Sequence, residues 1–313
     1  MAAFPDANPG VGGHTAPVDV PDGGSLSGQP LRAAWYAVPI RPEGPDLVAV
    51  RLFGERLVLW RGAQGWTAAP AACPHAGADL AGGVVRGGAV VCPWHGRTFG
   101  GDGDCEQGDG TPGLTGRPAR KRGDQVWIWG RPDDAPRWDP PEDEDTEGWA
   151  VCGTYEETVT ASLAEVFENV ADLEHFGPVH GSIVPPVVTD ADVDAHRLNL
   201  RMVHRLRSGH AVPVRLRADG PGITITWFGD PPWLRLETHH LPLDGRLTAV
   251  RCRGLARGLR SRPSRAALVR GVFAEMHEQL RQDERIWAGR DPAIDRRSGA
   301  ALVTVRRWLT SFC

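Results

Sequence analysis

The sequence has almost no lysine, few cysteines and no long apolar run. Its 313 residues include one lysine, Lys121, beside 34 arginines, a bias that follows genome composition more readily than a binding function. No segment approaches the roughly 18 consecutive apolar residues that a membrane span needs. The first ten residues have neither a basic region nor an apolar core, so they do not resemble a secretory signal. We therefore expect a soluble, cytoplasmic protein without membrane contact.

Length and turn-forming residues limit the class of fold. At about 100–200 residues per domain, the chain predicts two domains, each able to bury a core. Glycine and proline together number 66, which indicates many turns, short strands and few long helices. Two of the six cysteines stand in tight patterns with histidine, which argues for metal binding in a reducing compartment rather than for a disulfide framework.

Charge is distributed unevenly along the chain, although the formal net charge is only −4. Residues 1–200 carry 29 acidic and 14 basic residues, whereas residues 201–313 carry 10 and 21. These halves are either two unlike solvated surfaces or surfaces that dock on each other, within the chain or between subunits. The basic half has no basic run with interleaved aromatic residues, so nucleic acid is not expected as a partner.

Four segments are expected along the chain. Residues 1–30 predict a flexible lead-in, and residues 31–130 predict a small all-β domain with a hairpin around Gly54-Glu55. Residues 131–148 are rich in proline and acids and predict a linker. Residues 149–313 predict a domain of mixed α and β structure, so that the fold class of the chain is α+β.

Three elements are predicted inside the second domain. A helix capped by Ser162 or Thr160 is expected to reach about Phe176, where a Gly-Pro pair stops it. Residues 183–252 alternate between polar and apolar positions, which predicts several strands. A long helical pattern follows over residues 263–287.

Two short motifs in the first domain place thiols beside imidazoles. They are Cys73-Pro74-His75 and, after sixteen further residues, Cys92-Pro93-Trp94-His95. Two loops that each offer one thiolate and one imidazole can hold two sulfide-bridged irons, with both cysteines on one iron and both histidines on the other. A Cys₂His₂ zinc site is the alternative, but zinc fingers use a different spacing. We therefore predict a Rieske [2Fe–2S] cluster on Cys73, His75, Cys92 and His95.

A second group of potential ligands lies in the other domain. It consists of Asn169, Asp172, His175 and His180, in the pattern N-x2-D-x2-H-x4-H. On one continuous helix the first three residues would share a face, and the Gly-Pro pair would let His180 fold back towards His175. Two imidazoles and one carboxylate would form the facial triad that suits non-haem Fe(II) and leaves positions open for O₂. Alone, such a histidine pair is more often found on a surface or packed.

The carboxylate of that triad is expected on the long C-terminal helix, where Asp283 interrupts an apolar stripe. A carboxylate buried there without a partner would cost several kcal/mol, so a metal or a cation should lie beside it. We assign Asp283 to the iron. An arginine partner is the alternative explanation, and Glu284 is the second choice of ligand. The other members of the stripe are Val269, Val272, Phe273, Met276, Leu280 and Trp287.

The motifs CPHAGADL…CPWHG and N-x2-D-x2-H-x4-H together resemble the oxygenase component of Rieske non-haem iron oxygenases over about residues 32–290. The resemblance implies a helix-grip (START-like) catalytic domain, in which an antiparallel sheet wraps a long C-terminal helix. It also implies a [2Fe–2S] cluster and a mononuclear Fe(II), both reduced by a ferredoxin or an NAD(P)H-dependent reductase. The chain has no GxGxxG unit with which to bind the nicotinamide itself. The segment from Gln282 to Trp287 resembles the ligand motif of this family.

Asn169 and Asp172 are expected to act beside the iron without holding it. Asp172 precedes His175 by three residues, which would let it bond the second nitrogen of that imidazole and fix its orientation. The resemblance implies that Asp172 also bonds His95 of a neighbouring subunit, and hence a head-to-tail ring, usually a homotrimer. The opposite charges of the two halves would favour such a contact.

The expected activity is that of a monooxygenase that uses O₂ to hydroxylate or dealkylate a small, largely apolar organic substrate, with natural-product tailoring as one setting. Desaturation, oxidative cyclisation and arene cis-dihydroxylation at the same site are alternatives. A Rieske electron-transfer protein and a scaffold with an unloaded iron site are the non-enzymatic alternatives. Other histidines lack ligand spacing and are expected on the surface or in the core: His204, His210, His239, His240 and His277.

Overall fold

The computed structural model describes residues 26–257 and 263–313, apart from residues 27, 42, 109, 133 and 206–208. The predicted lead-in, residues 1–30, lies mostly outside the described residues. Among the helices that the structure describes, none is long and apolar enough to cross a membrane.

The first part of the chain is built from short antiparallel strands. They form three three-stranded sheets, in the orders β1-β9-β8, β2-β3-β4 and β5-β6-β7. A short 3₁₀ helix, Leu80–Gly82, precedes the third sheet. The strands described in this part are β1 (Trp35–Pro39), β2 (Leu47–Leu52), β3 (Glu55–Gly62), β4 (Gly65–Pro70), β5 (Val84–Arg86), β6 (Ala89–Val91), β7 (Thr98–Phe99), β8 (Ala119–Arg122) and β9 (Gln125–Trp129).

The predicted hairpin is confirmed as β2 and β3, which pair from Leu52 opposite Glu55. Its two turn residues, Phe53 and Gly54, both have positive φ, at 52° and 82°. Two successive positive φ angles match the right-handed twist of the flanking strands, and glycine adopts such angles without strain.

The second part of the chain is a single antiparallel sheet with helices. Its seven antiparallel strands follow the order β10-β16-β15-β14-β13-β12-β11. The strands are β10 (Ala150–Val159), β11 (Val187–Asp194), β12 (Arg197–Arg205), β13 (Ala211–Asp219), β14 (Ile223–Phe228), β15 (Leu234–Pro242) and β16 (Thr248–Ala256). The helices are α1 (Leu163–Ala171), α2 (Phe176–His180), α3 (Pro263–Gly289) and α4 (Ala300–Thr310).

The long helix α3 packs on one face of this sheet, as the apolar stripe predicts. Val269 and Val272 are buried against the sheet. Phe273 lies so close to Gly153 and Gly254 that a Cβ on either glycine would stand within 2.6 Å of its ring. Two glycines on neighbouring strands therefore allow the close approach of helix and sheet, which fixes the height of α3 above the sheet.

The two parts of the chain share one hydrophobic core. Tyr36 of β1, Phe167 of α1 and Phe312, just beyond α4, belong to the same buried cluster. The backbone N–H of Ala33 donates to the carbonyl of Phe312 at 2.9 Å. Residues 131–148, predicted as a linker, contain no described helix or strand, but Trp138 in that segment stacks on His196 with ring centroids 4.5 Å apart.

One prediction for the second part was wrong. Helix α1 is capped by Ser162 as expected, in a capping box with Glu165, but it ends at Ala171 rather than near Phe176. Asn169, Asp172 and His175 therefore do not share one continuous helical face. The Gly-Pro pair does not stop a helix either, because it lies inside α2, which ends where Gly181 adopts a φ of 68°.

Candidate metal centres

Two loops of the first part have the same hydrogen-bonded shape. The N–H of Cys73 donates to the carbonyl of Ala78 at 2.8 Å, and the N–H of Cys92 donates to that of Arg97 at 2.7 Å. In each loop a glycine four residues after the cysteine has a positive φ and returns a bond to the cysteine carbonyl. The two loops are thus matched turns, each of which carries one cysteine and one histidine.

The side chains of these loops converge at their tips. The rings of His75 and His95 stand with centroids 4.9 Å apart, and both residues are exposed. Cys73 and Cys92 are buried behind them. Burial raises the pKa of the Cys73 thiol; the amide of His75 acts against this rise, and the Cys92 sulfur adds to it. Two crowded sulfurs inside and two imidazoles outside form a donor set that fits a [2Fe–2S] cluster.

A second convergence lies between the helices and the sheet. The Nε2 atoms of His175 and His180 are 3.0 Å apart, and Oδ1 of Asp283 is 3.6 Å from the first and 3.3 Å from the second. One ligand atom from each residue fits within 4.8 Å of the others. His180 and Asp283 are buried, whereas His175 is partly exposed. Two imidazoles and one carboxylate at this separation fit the facial arrangement of a non-haem Fe(II) site.

Neighbouring side chains and carbonyls orient each member of this triad. Nδ1 of His180 donates to Oε1 of Gln282 at 2.8 Å, and Nδ1 of His175 donates to the backbone carbonyl of Asp172. With these nitrogens occupied, both imidazoles present Nε2 to the centre. The amide nitrogen of Asn169 donates to Oδ2 of Asp283 at 2.9 Å, which leaves Oδ1 facing the imidazoles. Such partners fix the orientation of metal ligands.

The two imidazoles differ in their electrostatic surroundings. Burial lowers the pKa of His175, an effect that the Asp283 carboxylate only partly offsets. Burial also acts against the charged form of His180, but the hydrogen bonds to Asp283 and Gln282 outweigh it and raise the pKa of His180. The raised pKa favours a protonated His180 ring, and a cation at the centre would displace that proton.

Asp172 contacts His175 as expected, but it does so through its backbone carbonyl and not through its carboxylate. The backbone carbonyl of Asp172 contacts the imidazole, while its carboxylate lies 3.2 Å from Nη1 of Arg297. Arg297 in turn bonds Glu168, which is fully buried, and Asp295. Arg306 bonds the same two acids at 3.1 and 3.0 Å. The residues after α3 thus hold the end of α1 in place through a partly buried ion network.

The contacts of Asp283 and Glu284 distinguish the two candidate ligands. The Asp283 carboxylate contacts the two histidines and Asn169, and no arginine pairs with it among the described residues. Glu284 points elsewhere, since its Oε1 accepts from the hydroxyl of Thr160 at 2.9 Å and its other oxygen from the Thr160 amide. Of these two acids, the structure brings Asp283 alone to the histidines.

A cavity of about 220 Å³ opens beside the triad. Its sheet side is largely apolar, with Leu216, Phe228 and Leu236 among the side chains that line it. Sequence reasoning missed two polar members of this wall, His204 of β12 and His240 of β15. The available signal was their place in the alternation of each strand, since both occupy inward-facing positions.

Comparison with known proteins agrees with this architecture. A Rieske [2Fe–2S] domain model matches residues 35–117, and a model of the 3-ketosteroid 9alpha-hydroxylase C-terminal domain matches residues 128–313. A Rieske domain followed by such a catalytic domain defines the class of Rieske non-haem iron oxygenases. The second match alone covers more than half of the chain, and the chain therefore belongs to the 3-ketosteroid 9alpha-hydroxylase C-terminal domain family within that class.

Curated relatives match part of the chain. A cholesterol 7-desaturase of Xenopus laevis is 34% identical over 154 residues, which is 45% of this chain and 33% of that protein. The oxygenase component of a 3-ketosteroid-9-alpha-monooxygenase of Rhodococcus rhodochrous is 29% identical over 149 residues, which is 43% of this chain and 37% of that protein. The matched region thus spans about a third of each relative.

Solved structures share the fold over most of the chain. NdmB of Pseudomonas putida CBB5 superimposes with a TM-score of 0.70 at 20% identity and covers 90% of each chain. Dicamba monooxygenase bound to dicamba gives a TM-score of 0.66 at 17% identity and covers 90% of this chain and 97% of that one.

Proposed function

We propose that the chain is the terminal oxygenase component of a Rieske non-haem iron monooxygenase system. The observation that carries this proposal is the convergence of His175, His180 and Asp283 at the edge of a largely apolar cavity, in a chain that also carries two matched Cys/His loops. An electron-transfer protein would need the loops alone. The oriented triad beside a cavity supports an enzyme that carries out oxidation chemistry there.

In this proposal, one group of residues holds the cluster and another holds the iron. Cys73, Cys92, His75 and His95 hold the cluster, while His175, His180 and Asp283 hold the iron. The two centres supply electron storage and the activation of O₂ when they are bound. Asn169 holds Asp283 by one oxygen. Apolar side chains such as Leu216 exclude water from the cavity, which prevents side reactions with solvent.

The substrate in this proposal is a small, largely apolar organic molecule that undergoes hydroxylation or oxidative dealkylation. The lining of the cavity supports an apolar body. The names of relatives point to the same range of chemistry: one is a vanillate O-demethylase subunit of a Pseudomonas strain, and another is a chloroacetanilide N-alkylformylase component of Rhizorhabdus wittichii.

Desaturation is a second candidate outcome at the same site. Relatives from Xenopus laevis, Bombyx mori and Hemicentrotus pulcherrimus, each 33–34% identical over about half of this chain, are named cholesterol 7-desaturases. Removal of two hydrogens uses the same O₂ and the same electrons as hydroxylation, so the residues of the site do not separate the two reactions. Oxidative cyclisation and cis-dihydroxylation use the same electrons as well.

The electrons in this proposal come from a ferredoxin or an NAD(P)H-dependent reductase, and the oxygenase assembles as a homotrimer in the cytoplasm. Several relatives are named as oxygenase components or subunits of larger systems. The exposed His75 and His95 support reduction at the loop tips, where Trp94 stacks on His95 and is 63% exposed. In a head-to-tail ring, the same face would meet Asp172 of the next subunit.

The test begins with protein reconstituted anaerobically with iron and sulfide. We expect three irons and two labile sulfides per chain. The protein is then given a reductase, NADH and ¹⁸O₂ with a sterol, a 3-ketosteroid or vanillate, and the products are analysed by mass spectrometry. A gain of one ¹⁸O indicates hydroxylation, a loss of two hydrogens indicates desaturation, and loss of an alkyl group indicates dealkylation.

Two results would overturn the proposal. One is a reconstituted protein that holds two irons and is reduced without any O₂-dependent product, which would leave an electron-transfer protein. The other is tight binding of one zinc in place of two irons at the Cys/His loops. Sedimentation at low and high salt tests the assembly separately, and a monomer at both would exclude the ring.

A further inference from the structure

One polar side chain in the cavity wall has no use in the site described above. His204 is 6% exposed and lines the cavity from the end of β12. Its Nε2 has no hydrogen-bond partner among the described residues. A buried polar atom without a hydrogen-bond partner costs about 1–3 kcal/mol of stability. A histidine at this position therefore destabilises the fold unless another molecule forms a hydrogen bond with it.

Two described neighbours of His204 are apolar. Its ring lies near that of Phe176, with centroids 6.1 Å apart, and Val212 stands opposite it on β13. His240 in the same wall contacts the Thr224 hydroxyl at 3.2 Å through Nε2, while its Nδ1 has no partner among the described residues. The Phe176 ring also lies 5.2 Å from that of His180, which places His204 on the side of the cavity next to the triad.

The charged residues that line the cavity indicate what kind of ligand group can form a hydrogen bond with His204. Among the described residues that line the cavity, none is an arginine or a lysine, and Asp283 is the one acid. Burial lowers the pKa of His204, and His180 adds to that effect, so its ring is neutral. A neutral imidazole offers one N–H donor and one bare nitrogen acceptor, which a hydroxyl or a carbonyl oxygen can meet without bringing a charge.

We infer that His204 is a specificity-determining residue that hydrogen-bonds an oxygen atom of a neutral, otherwise apolar substrate. The apolar body lies against the sheet side of the cavity, and the oxygen lies beside the triad. This inference rests on the proposed function for the identity of the cavity as the substrate site. It goes beyond that function by requiring a hydrogen-bonding oxygen and by excluding an anionic group at this position.

The test uses binding rather than turnover, so that it does not depend on the reaction. Tetralin, 1-tetralol and 1-naphthoate share a fused two-ring body and differ in having no oxygen, a neutral hydroxyl and a carboxylate. Their affinities are measured by anaerobic calorimetry on protein with both metal centres loaded and no reductant. We expect 1-tetralol to bind at least as tightly as tetralin, although its hydroxyl must leave water, and 1-naphthoate to bind more weakly than either.

Three variants separate recognition from structure. His204→Phe should weaken 1-tetralol about tenfold and leave tetralin within twofold, because only the hydrogen bond is lost. His204→Gln, which keeps a donor and an acceptor, should restore part of the preference. His196→Phe is the matched control, since His196 stacks on Trp138 outside the cavity, and it should leave both affinities unchanged.

Four results would separate or overturn the inference and the proposed function. Equal weakening of tetralin and 1-tetralol in His204→Phe would make His204 a structural residue and overturn the inference. Tightest binding of 1-naphthoate, or no binding of any of the three, would overturn the substrate class. If the tenfold effect is found although the triad cannot be loaded with iron, the proposed function fails, and His204 still recognises a hydroxyl group in this cavity. If iron is present and turnover occurs without that effect, the inference alone fails.

Discussion

The amide nitrogen of Asn169 lies 2.9 Å from Oδ2 of Asp283, while Oδ1 of the same carboxylate faces His175 and His180. One oxygen is held by the protein and the other is left for a metal. A carboxylate held in this way would bind a metal by one atom, which would leave coordination positions for other ligands.

Replacing Asn169 with alanine should therefore weaken the iron site without affecting the cluster. Loss of a partner of this kind typically costs 10- to 100-fold in metal affinity. Titration of the iron-depleted mononuclear site with Fe(II) measures the effect, with cluster absorbance as an internal reference. Asn199→Ala, on β12, is the control and should bind iron normally. An unchanged affinity in Asn169→Ala would mean that the hydrogen bond to Asp283 does not organise the ligand.

Two adjacent acids on α3 should behave oppositely when each is replaced by alanine. Asp283→Ala removes the carboxylate of the triad, so iron should fall from three to two per chain while labile sulfide stays at two. Glu284→Ala should keep all three irons, because Glu284 bonds Thr160 instead. Loss of iron in Glu284→Ala with retention in Asp283→Ala would exchange the assigned roles of the two residues.

Iron binding should release a proton from the site. The raised pKa of His180 means that the metal-free ring is protonated over a range that extends above its ordinary pKa. A metal requires the neutral ring, so affinity should increase with pH through that range and then level off. Calorimetry in buffers of different ionisation enthalpy should show about one proton released at the acid end. An affinity that does not change with pH would contradict the raised pKa of His180.

The ion network at the end of α1 should be a major source of stability for the iron site. Glu168 is fully buried and accepts from Arg297 at 2.6 Å and from Arg306 at 3.1 Å. Glu168→Leu leaves the buried guanidinium of Arg306 and the partly exposed one of Arg297 without this partner, which should lower the free energy of unfolding by about 3–5 kcal/mol. Urea denaturation measures the loss.

A surface arginine in the same segment provides the control for that experiment. Arg296 is exposed, and Arg296→Met should change stability by no more than about 0.5 kcal/mol. If Glu168→Leu were as stable as the parent protein, the network would be a surface feature without a role in fixing α1.

Local patterns in the sequence predict most of the fold and the residues that converge on the triad. The Ser162 cap, the β2–β3 hairpin and the apolar stripe around Asp283 are all short-range signals, and all three are present in the structure. The end of α1 was not predictable in this way. Arg297, more than a hundred residues further along the chain, holds the Asp172 carboxylate where the helix stops.

His204 shows a second limit of sequence reasoning. It carries no motif, and a single histidine in a strand is as compatible with a packed core as with a substrate site. Its position in the cavity follows from the pairing of seven strands and from the placement of α2 beside them. Pairing of distant strands decides such a neighbourhood, and the sequence around His204 does not encode it.

The core that joins Tyr36, Phe167 and Phe312 makes the two parts of this chain poor candidates for independent exchange. A chimaera that takes its first 130 residues from a relative would set a foreign surface against the last turn of α4. The C-terminal residues would then have to come from the same donor as the first domain, although they are the most distant from it in sequence. A working chimaera would therefore exchange the N-terminal domain and the C-terminal tail together, and it would keep the catalytic sheet that lies between them in sequence.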